Sequence, residues 1–313
     1  MNIFPENSQV DPEPDPDSSF LGSSEDRDIL LHRDAHFGGD FDTMIEYYEA
    51  EGKGMMQEFE FSRIRELADY ETATGVNLAS QILTGPDAEK IKAARKAYNS
   101  LRELYSVKNS KDPKPLLLAD LVLSEEEWPQ KEIDAIVEQK TAIVPLLISL
   151  LRSEDFYDAL FPGYGQAPTL AARCLGLIGD KRAMISLFEA IGEANFFSED
   201  YLLDGLKNIG DPAKEFLLKI LHSEPLNFDN ERAAIALVRF RDEPGVAETC
   251  LKMLLKPVVW KDPNLSLHLI LACEGLKEPK LQEEFCKLET QPGFPKMLFQ
   301  DIKLIAKTFS KQY

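Results

Sequence analysis

Apolar residues recur at three- and four-residue steps along most of this chain, a spacing that predicts helices. Helical patterning begins at Ile29. Phe41, Met44, Ile45 and Tyr48 form one stripe, Gly52-Lys53-Gly54 breaks it, and Phe61, Ile64, Leu67 and Ala68 build the next. A long helix is predicted from Pro86 to Tyr105, with Ile91, Ala94, Tyr98, Leu101 and Tyr105 on one face and Pro86 in its first turn. Lys108 to Pro115 reads as a polar, proline-containing linker. Leu116 to Leu123 reads as a short helix, and Ser124-Glu125-Glu126-Glu127 as a helix start. Ile133, Ile136 and Val137 then belong to one helix, and Ile143, Val144, Leu146, Leu147, Leu150 and Leu151 to its partner.

Further on the pattern repeats. Leu175-Gly-Leu-Ile-Gly-Asp180 returns as Leu206-Lys-Asn-Ile-Gly-Asp211 and, degraded, as Leu237-Val-Arg-Phe-Arg-Asp242, at steps of about 31 residues. Such a period predicts stacked helical repeats. The first helices align in columns: Ala171, Leu202 and Ala233; Leu175, Leu206 and Leu237; Ile178, Ile209 and Phe240. The same face is therefore expected to be buried each time. Second helices carry Met184, Leu187, Phe188 and Ile191, then Ala213, Phe216, Leu217 and Ile220, then Val246, Cys250, Met253 and Leu254. Gly179 and Gly210 suit the left-handed residue that closes a helix. Asp180 and Asp211 are then expected to cap the helices that follow. A weaker unit runs from Leu267 to Leu288, and Phe294 to Phe309 is the expected closing helix.

Paired helices of this length joined by L-x-x-[IL]-G-[DN] resemble HEAT repeats of the short phycobilisome-lyase type. Ala171-Ala-Arg-Cys-Leu-Gly-Leu-Ile-Gly-Asp180 and Tyr201-Leu-Leu-Asp-Gly-Leu-Lys-Asn-Ile-Gly-Asp211 carry the resemblance, which covers about residues 139–290. It implies an α-solenoid. Members of that class are scaffolds, adaptors, regulatory subunits, pigment lyases and occasional enzymes. The iron-dependent hydroxylases among them carry repeated His-Glu pairs. This chain has no His-Glu dipeptide, so that activity is not implied, and nothing beyond the repeats marks a bilin site. No family is recognised for residues 29–125.

Charge changes the picture only at one end. The formal net charge is −19, and residues 1–51 hold 14 of the 54 carboxylates but only two basic side chains, Arg27 and Arg33. Asp11-Pro-Glu-Pro-Asp-Pro-Asp17 has nothing to bury, and residues 1–28 read as a disordered acidic leader. An acidic body disfavours general nucleic-acid binding. Lys90, Lys92, Arg95, Lys96 and Arg102 form the best basic stripe, on one predicted helix, and read first as a solvated face. No apolar run reaches the roughly 20 residues that span a bilayer, and no secretory signal opens the chain. Cys174, Cys250, Cys273 and Cys286 lie irregularly within apolar helical patterns and read as buried free thiols of a cytoplasmic protein.

Two groups of residues carry candidate chemistry. His32-Arg-Asp34-Ala-His36 is the cluster with metal-ligand character. On a helix His32 and His36 share a face, whereas Asp34 joins them only in an extended segment. Capping and loop stitching beside Gly38-Gly39 is the competing reading. The second group is aromatic. Asp155 to Pro168 inserts Phe156, Tyr157, Phe161 and Tyr164 between two repeats, and Phe196, Phe197 and Trp260 sit in later connections. Insertions in repeat arrays often serve binding, and aromatic residues suit it, but such a loop can equally fold back over the core. No GxSxG, GxGxxG, P-loop or HExxH motif occurs.

The expectation is an all-α protein: the leader, a smaller helical subdomain over residues 29–125, and a HEAT-like α-solenoid of about five helix pairs over residues 126–313. A continuous concave face suits a peptide or helix of another protein. The leading expectation is a non-enzymatic, cofactor-free interaction scaffold. One alternative is a metal-binding protein or metal-dependent enzyme using His32 and His36. Another is HEAT-type nucleic-acid binding.

Overall fold

A computed structural model of the chain describes residues 21–50, 58–106, 112–124, 126, 128–193 and 198–309. Among them every regular element is helical. None of the helices is long and apolar enough to cross a membrane. The chain divides into two compact units between Ser100 and Leu101. That division falls inside a helix rather than near residue 125.

The first unit contains α1 (Ser24–His36), α2 (Phe41–Glu49), α3 (Phe61–Thr74), α4 (Leu78–Ile82) and most of α5 (Gly85–Glu103). α1 starts five residues before Ile29, so residues 24–28 are helix and not leader. The Ser23 hydroxyl accepts from the Asp26 amide and the Asp26 carboxylate accepts from the Ser23 amide, a capping box. Ile29, Leu30, Phe41, Met44, Ile64, Leu67 and Leu78 form the apolar core. Beside it lies a buried charged network that apolar periodicity does not reveal. Asp26 is fully buried and accepts from Arg63 at 2.7 and 3.0 Å. Arg33, 1% exposed, is held by Asp34 at 2.8 Å and Glu71 at 2.6 Å, with the ring of Phe41 beneath it. Asp87 accepts from the Thr84 amide and hydroxyl and pairs with Arg27.

Burial pushes the Asp26 carboxyl up, but hydrogen bonds from Arg63, Ser23 and Gly22 outweigh it and the net shift is downward. Asp87 is likewise raised by burial, then lowered further by Thr84 and Arg27, to about 2.

The second unit holds α6 (Lys114–Val122), α7 (Gln130–Val137), α8 (Val144–Leu151), α9 (Ala167–Ile178), α10 (Met184–Glu189), α11 (Glu199–Ile209), α12 (Asp211–Leu221), α13 (Phe228–Leu237), α14 (Val246–Leu254), α15 (Pro263–Ala272), α16 (Pro279–Cys286) and α17 (Phe299–Phe309). Leu121 and Val122 of α6 share the core of Ile133 and Ile136, which ties α6 to this unit rather than to the smaller one. α7 begins at Gln130, not at Ser124.

α9 packs on α11, α13 on α15 and α15 on α17, while α8, α10, α12, α14 and α16 each pack on the helix that follows. The aligned columns account for this. Ala171, Leu202, Ala233, Leu175, Leu206 and Leu237 are fully buried, as is Phe240. Leu206→Ala at such a site costs about 2–5 kcal/mol. Polar ties link helices that are distant in sequence. Asn208 of α11 donates to the Gly176 carbonyl of α9, 32 residues back, Arg182 donates to the Thr141 carbonyl, 41 residues back, and Arg232 of α13 reaches past α11 and α12 to the Ile191 carbonyl, also 41 residues back. The ion pairs Arg152–Glu189, Lys207–Glu243 and Arg239–Asp200 span 37, 36 and 39 residues.

The three turns solve one problem in different ways. Gly179 closes α9 in the left-handed conformation (φ 66°), and Asp180 accepts from the Arg182 amide at 2.9 Å, as expected. Gly210 also has positive φ (79°) but ψ −137°, a region open to glycine alone, and is itself the residue that opens α12. Asp211 therefore lies inside the helix and does not cap it; its carboxylate pairs with Lys214 at 2.5 Å. In the degraded copy a 3-10 turn over Val238–Phe240 replaces the glycine.

Close approaches hold successive pairs together. A Cβ on Gly176 would lie 3.0 Å from the Gly205 Cα, and one on Gly205 would meet Leu187 at 3.1 Å. A Cβ on Gly275 would fall 1.9 Å from the Arg241 carbonyl oxygen.

Gly275→Ala is expected to destabilise the larger unit by about 3 kcal/mol, the upper end of overpacking costs. Denaturant unfolding checks this, and unchanged stability would refute the turn-on-turn contact. Asp26→Ala should cost the smaller unit about 3 kcal/mol, because the Arg63 charge loses its buried partner. Both aspartates have depressed folded pKa values. Their contribution is complete above the ordinary aspartate value of about 4 and is lost as pH falls through the lowered values, which for Asp87 is about 2. Acid unfolding followed by circular dichroism should shift to higher pH in Asp26→Ala.

Candidate functional site

The aromatic insertion between α8 and α9 is largely turned inward. Phe156 and Tyr157 lie in a 3-10 turn (Glu154–Tyr157). Phe156 packs against the main core and meets the edge of Phe161, which is 4% exposed. Tyr164 has φ 50° between Gly163 (83°) and Gly165 (79°), three successive left-handed residues that reverse the chain and leave Tyr164 half-buried. Trp260 donates its indole N–H to the Leu254 carbonyl at 2.7 Å and packs edge-on against Phe294. Phe161 and Trp260 thus belong to the packing of the unit. Phe196 and Phe197 lie outside the described residues.

Tyr157 differs in lining a surface cleft of about 370 Å³. Leu151, Tyr157, Ser186 and Ala190 contribute to its walls, and the exposed Arg152, Glu154, Glu189 and Glu193 also line it. Arg152 pairs with Glu189, and Glu193 with Arg232 at 3.2 Å. The Tyr157 hydroxyl donates to the Leu151 carbonyl at 2.8 Å, and burial together with the charge of Glu193 pushes the phenol up to about 12. At neutral pH it is a fixed neutral donor. Two of the three carboxylates at the cleft, Glu189 and Glu193, are thus already held by guanidinium groups. Sequence reasoning singled out Tyr157 but not its neighbours. The Arg152–Glu189 separation, close to one repeat, was the available signal.

In the smaller unit α1 sets His32 and His36 on one face, their ring centroids 5.2 Å apart. Phe59 and Tyr98 pack edge-on against them. Asp34 does not join the pair; it engages Arg33. Asp40 caps α2 through the Asp42 amide at 3.1 Å and accepts from the Thr43 hydroxyl at 2.7 Å. Among the described residues no three His, Cys, Asp or Glu side chains gather to hold one ion. Residues of the basic stripe diverge as well: Lys92 and Lys96 face solvent, while Arg95 donates to the Asp34 carbonyl. Cys174, Cys250 and Cys273 are buried, and burial raises each thiol, the first two to about 12. Cys286 is exposed, contrary to the expectation of four buried thiols.

No protein-family model matches the chain. A comparison with curated proteins also finds no match.

Tyr157→Phe should cost about 1 kcal/mol through the lost hydrogen bond. Because the folded pKa lies above the unfolded value near 10, this tyrosine contributes stability below that value, and the contribution is lost as pH rises through about 12. Ultraviolet titration of the folded protein should therefore count as many tyrosines ionising near pH 10 as Tyr157→Phe does. One fewer in the variant would place the phenol in solvent.

Proposed function

We propose that the helix pairs of the larger unit are HEAT-like repeats forming an α-solenoid, and that the protein is a non-enzymatic scaffold binding a peptide or helix of another protein on that array. The observation that carries this reading is the recurrence of ties between neighbouring helix pairs, Asn208 to Gly176 at a separation of 32 residues, Lys207 to Glu243 at 36 and Arg152 to Glu189 at 37. A recurring interface of that kind leaves one helix face per pair uncovered. Side by side, such faces offer an extended strip of side chains rather than one enclosed site. Exposed apolar groups are available on these helices, Leu177 on α9 and Leu304 on α17 among them. The work of such an array is recognition of an elongated partner.

Affinity capture with crosslinking mass spectrometry on the full chain, and on a chain lacking residues 1–20, tests the reading. Crosslinks to a partner should concentrate on the exposed faces of α9 to α17 and survive the truncation. Crosslinks confined to the smaller unit, or lost with residues 1–20, would sink it.

A further inference from the structure

Arg173 stands apart from Arg152, Arg182, Arg232, Arg239 and Arg241, each of which holds a carboxylate. Among the described residues Arg173 makes neither an ion pair nor a hydrogen bond, and its Nε is buried without an acceptor. Its guanidinium lies over the ring of Tyr201, 5.4 Å from the centroid. Tyr201 in turn meets Trp128, with centroids 6.0 Å apart and planes tilted by 36°. α9 carries Arg173 and has α7 and α11 as neighbours, so Trp128, just before α7, and Tyr201, on α11, come from its two flanks. Trp128 is 40% exposed, and its indole N–H is fixed by Gln130 at 2.8 Å. Leu177, one helical turn beyond Arg173, is 41% exposed.

A guanidinium seated on an aromatic face keeps the in-plane N–H donors that a carboxylate uses. Leaving such donors unmet beside apolar surface is costly until an acceptor arrives. Tryptophan, tyrosine and arginine are also the residues that dominate binding energy where proteins meet. We propose that Arg173, Tyr201, Trp128 and Leu177 form a docking site for an acidic side chain of a partner protein that stands next to a large apolar residue. The carboxylate takes the Arg173 guanidinium, and the apolar neighbour covers Trp128 and Leu177. This inference rests on the scaffold reading and names the chemistry of its partner. The same residue types would also stack nucleic-acid bases, but a strand's backbone needs a track of cations. Here the neighbouring charges on α11 are Asp200 and Asp204, both exposed and engaged with Arg239.

The chain contains two tryptophans, Trp128 and Trp260. Full-length protein labelled with ¹⁵N at tryptophan therefore gives one indole reporter at the site and one away from it. The probes are the capped peptide Leu-Glu-Phe and its Leu-Gln-Phe analogue. The Glu peptide should shift the Trp128 signal saturably and leave Trp260 still, and the Gln peptide should bind at least about tenfold more weakly, the loss of one charge-assisted contact. Arg173→Gln should bring the Glu peptide to the level of its analogue. Arg173→Lys should recover only part of the difference, and an unmoved Trp260 signal in both variants reports an intact fold. Equal shifts from the two peptides, no shift from either, or a stronger Arg173-dependent shift from an eight-residue oligothymidylate would overturn the site. A peptide that moves Trp260 instead would remove this site yet leave a binding scaffold standing.

Discussion

A helical hairpin with one apolar stripe cannot bury that stripe by itself, and the larger unit is organised around this constraint. Each first helix presents the same columns, Ala171 with Leu202 and Ala233, Leu175 with Leu206 and Leu237, and all six are fully buried. Cover comes from the helices packed alongside: α9 lies against α8 and α11, and α13 against α12 and α15. The close approaches fit the same logic. Where Gly176 meets Gly205, and where Gly275 meets the Arg241 carbonyl, the spacing between pairs is set by backbone and not by side chains. Backbone contacts of that kind cannot relax by a change of rotamer, which makes them stricter than the apolar columns around them.

The smaller unit meets the demands of a modest size differently. Its apolar cluster is small, and charged groups sit beside it in paired sets: Asp26 with Arg63, Arg33 with Asp34 and Glu71, Asp87 with Arg27. A buried pair adds less net stability than its Coulomb attraction suggests, but breaking one partner away is severe. Such a unit tolerates few arrangements of its helices, because each wrong one strands a charge. Its weakness is acid, since the carboxylates must remain ionised for the network to hold.

Much of this was legible in advance because three- and four-residue apolar periodicity reports directly on helix faces. Burial of Ala171, Leu202, Ala233, Leu175, Leu206 and Leu237, the left-handed Gly179 and the cap from Asp180 all appear where the spacing put them, while Ile178 of the third column is only half-buried. What was not legible shares a cause: it depends on pairs of residues far apart in sequence. Asp26 and Arg63 look like ordinary surface charges until α1 and α3 bring them together. Asp211 resembles Asp180, yet the ψ of Gly210 moves the start of α12 by one residue and takes the cap away. Trp128, Arg173 and Tyr201 stand in three different elements, and no local motif joins them. The aromatic insertion was conspicuous in sequence, but conspicuousness does not distinguish a residue that fills a core from one that faces outward.

That distinction also underlies the proposal of Arg173, and not Phe161, as a contact residue. A contact residue must be held in place before its partner arrives, or binding is weakened by the entropy of ordering it. It must also keep surface to offer. Phe161 satisfies the first condition so fully that it fails the second, being 4% exposed. A free surface lysine has the opposite fault. Trp128 is fixed through one hydrogen bond to Gln130 and one ring contact to Tyr201, and still exposes 40% of its surface. Arg173 lies over the ring of Tyr201 and, among the described residues, its charge has no ion-pair partner. This group meets both conditions together. Packing of α9 between α7 and α11 makes such a combination possible, because residues from both neighbours support the site without covering it.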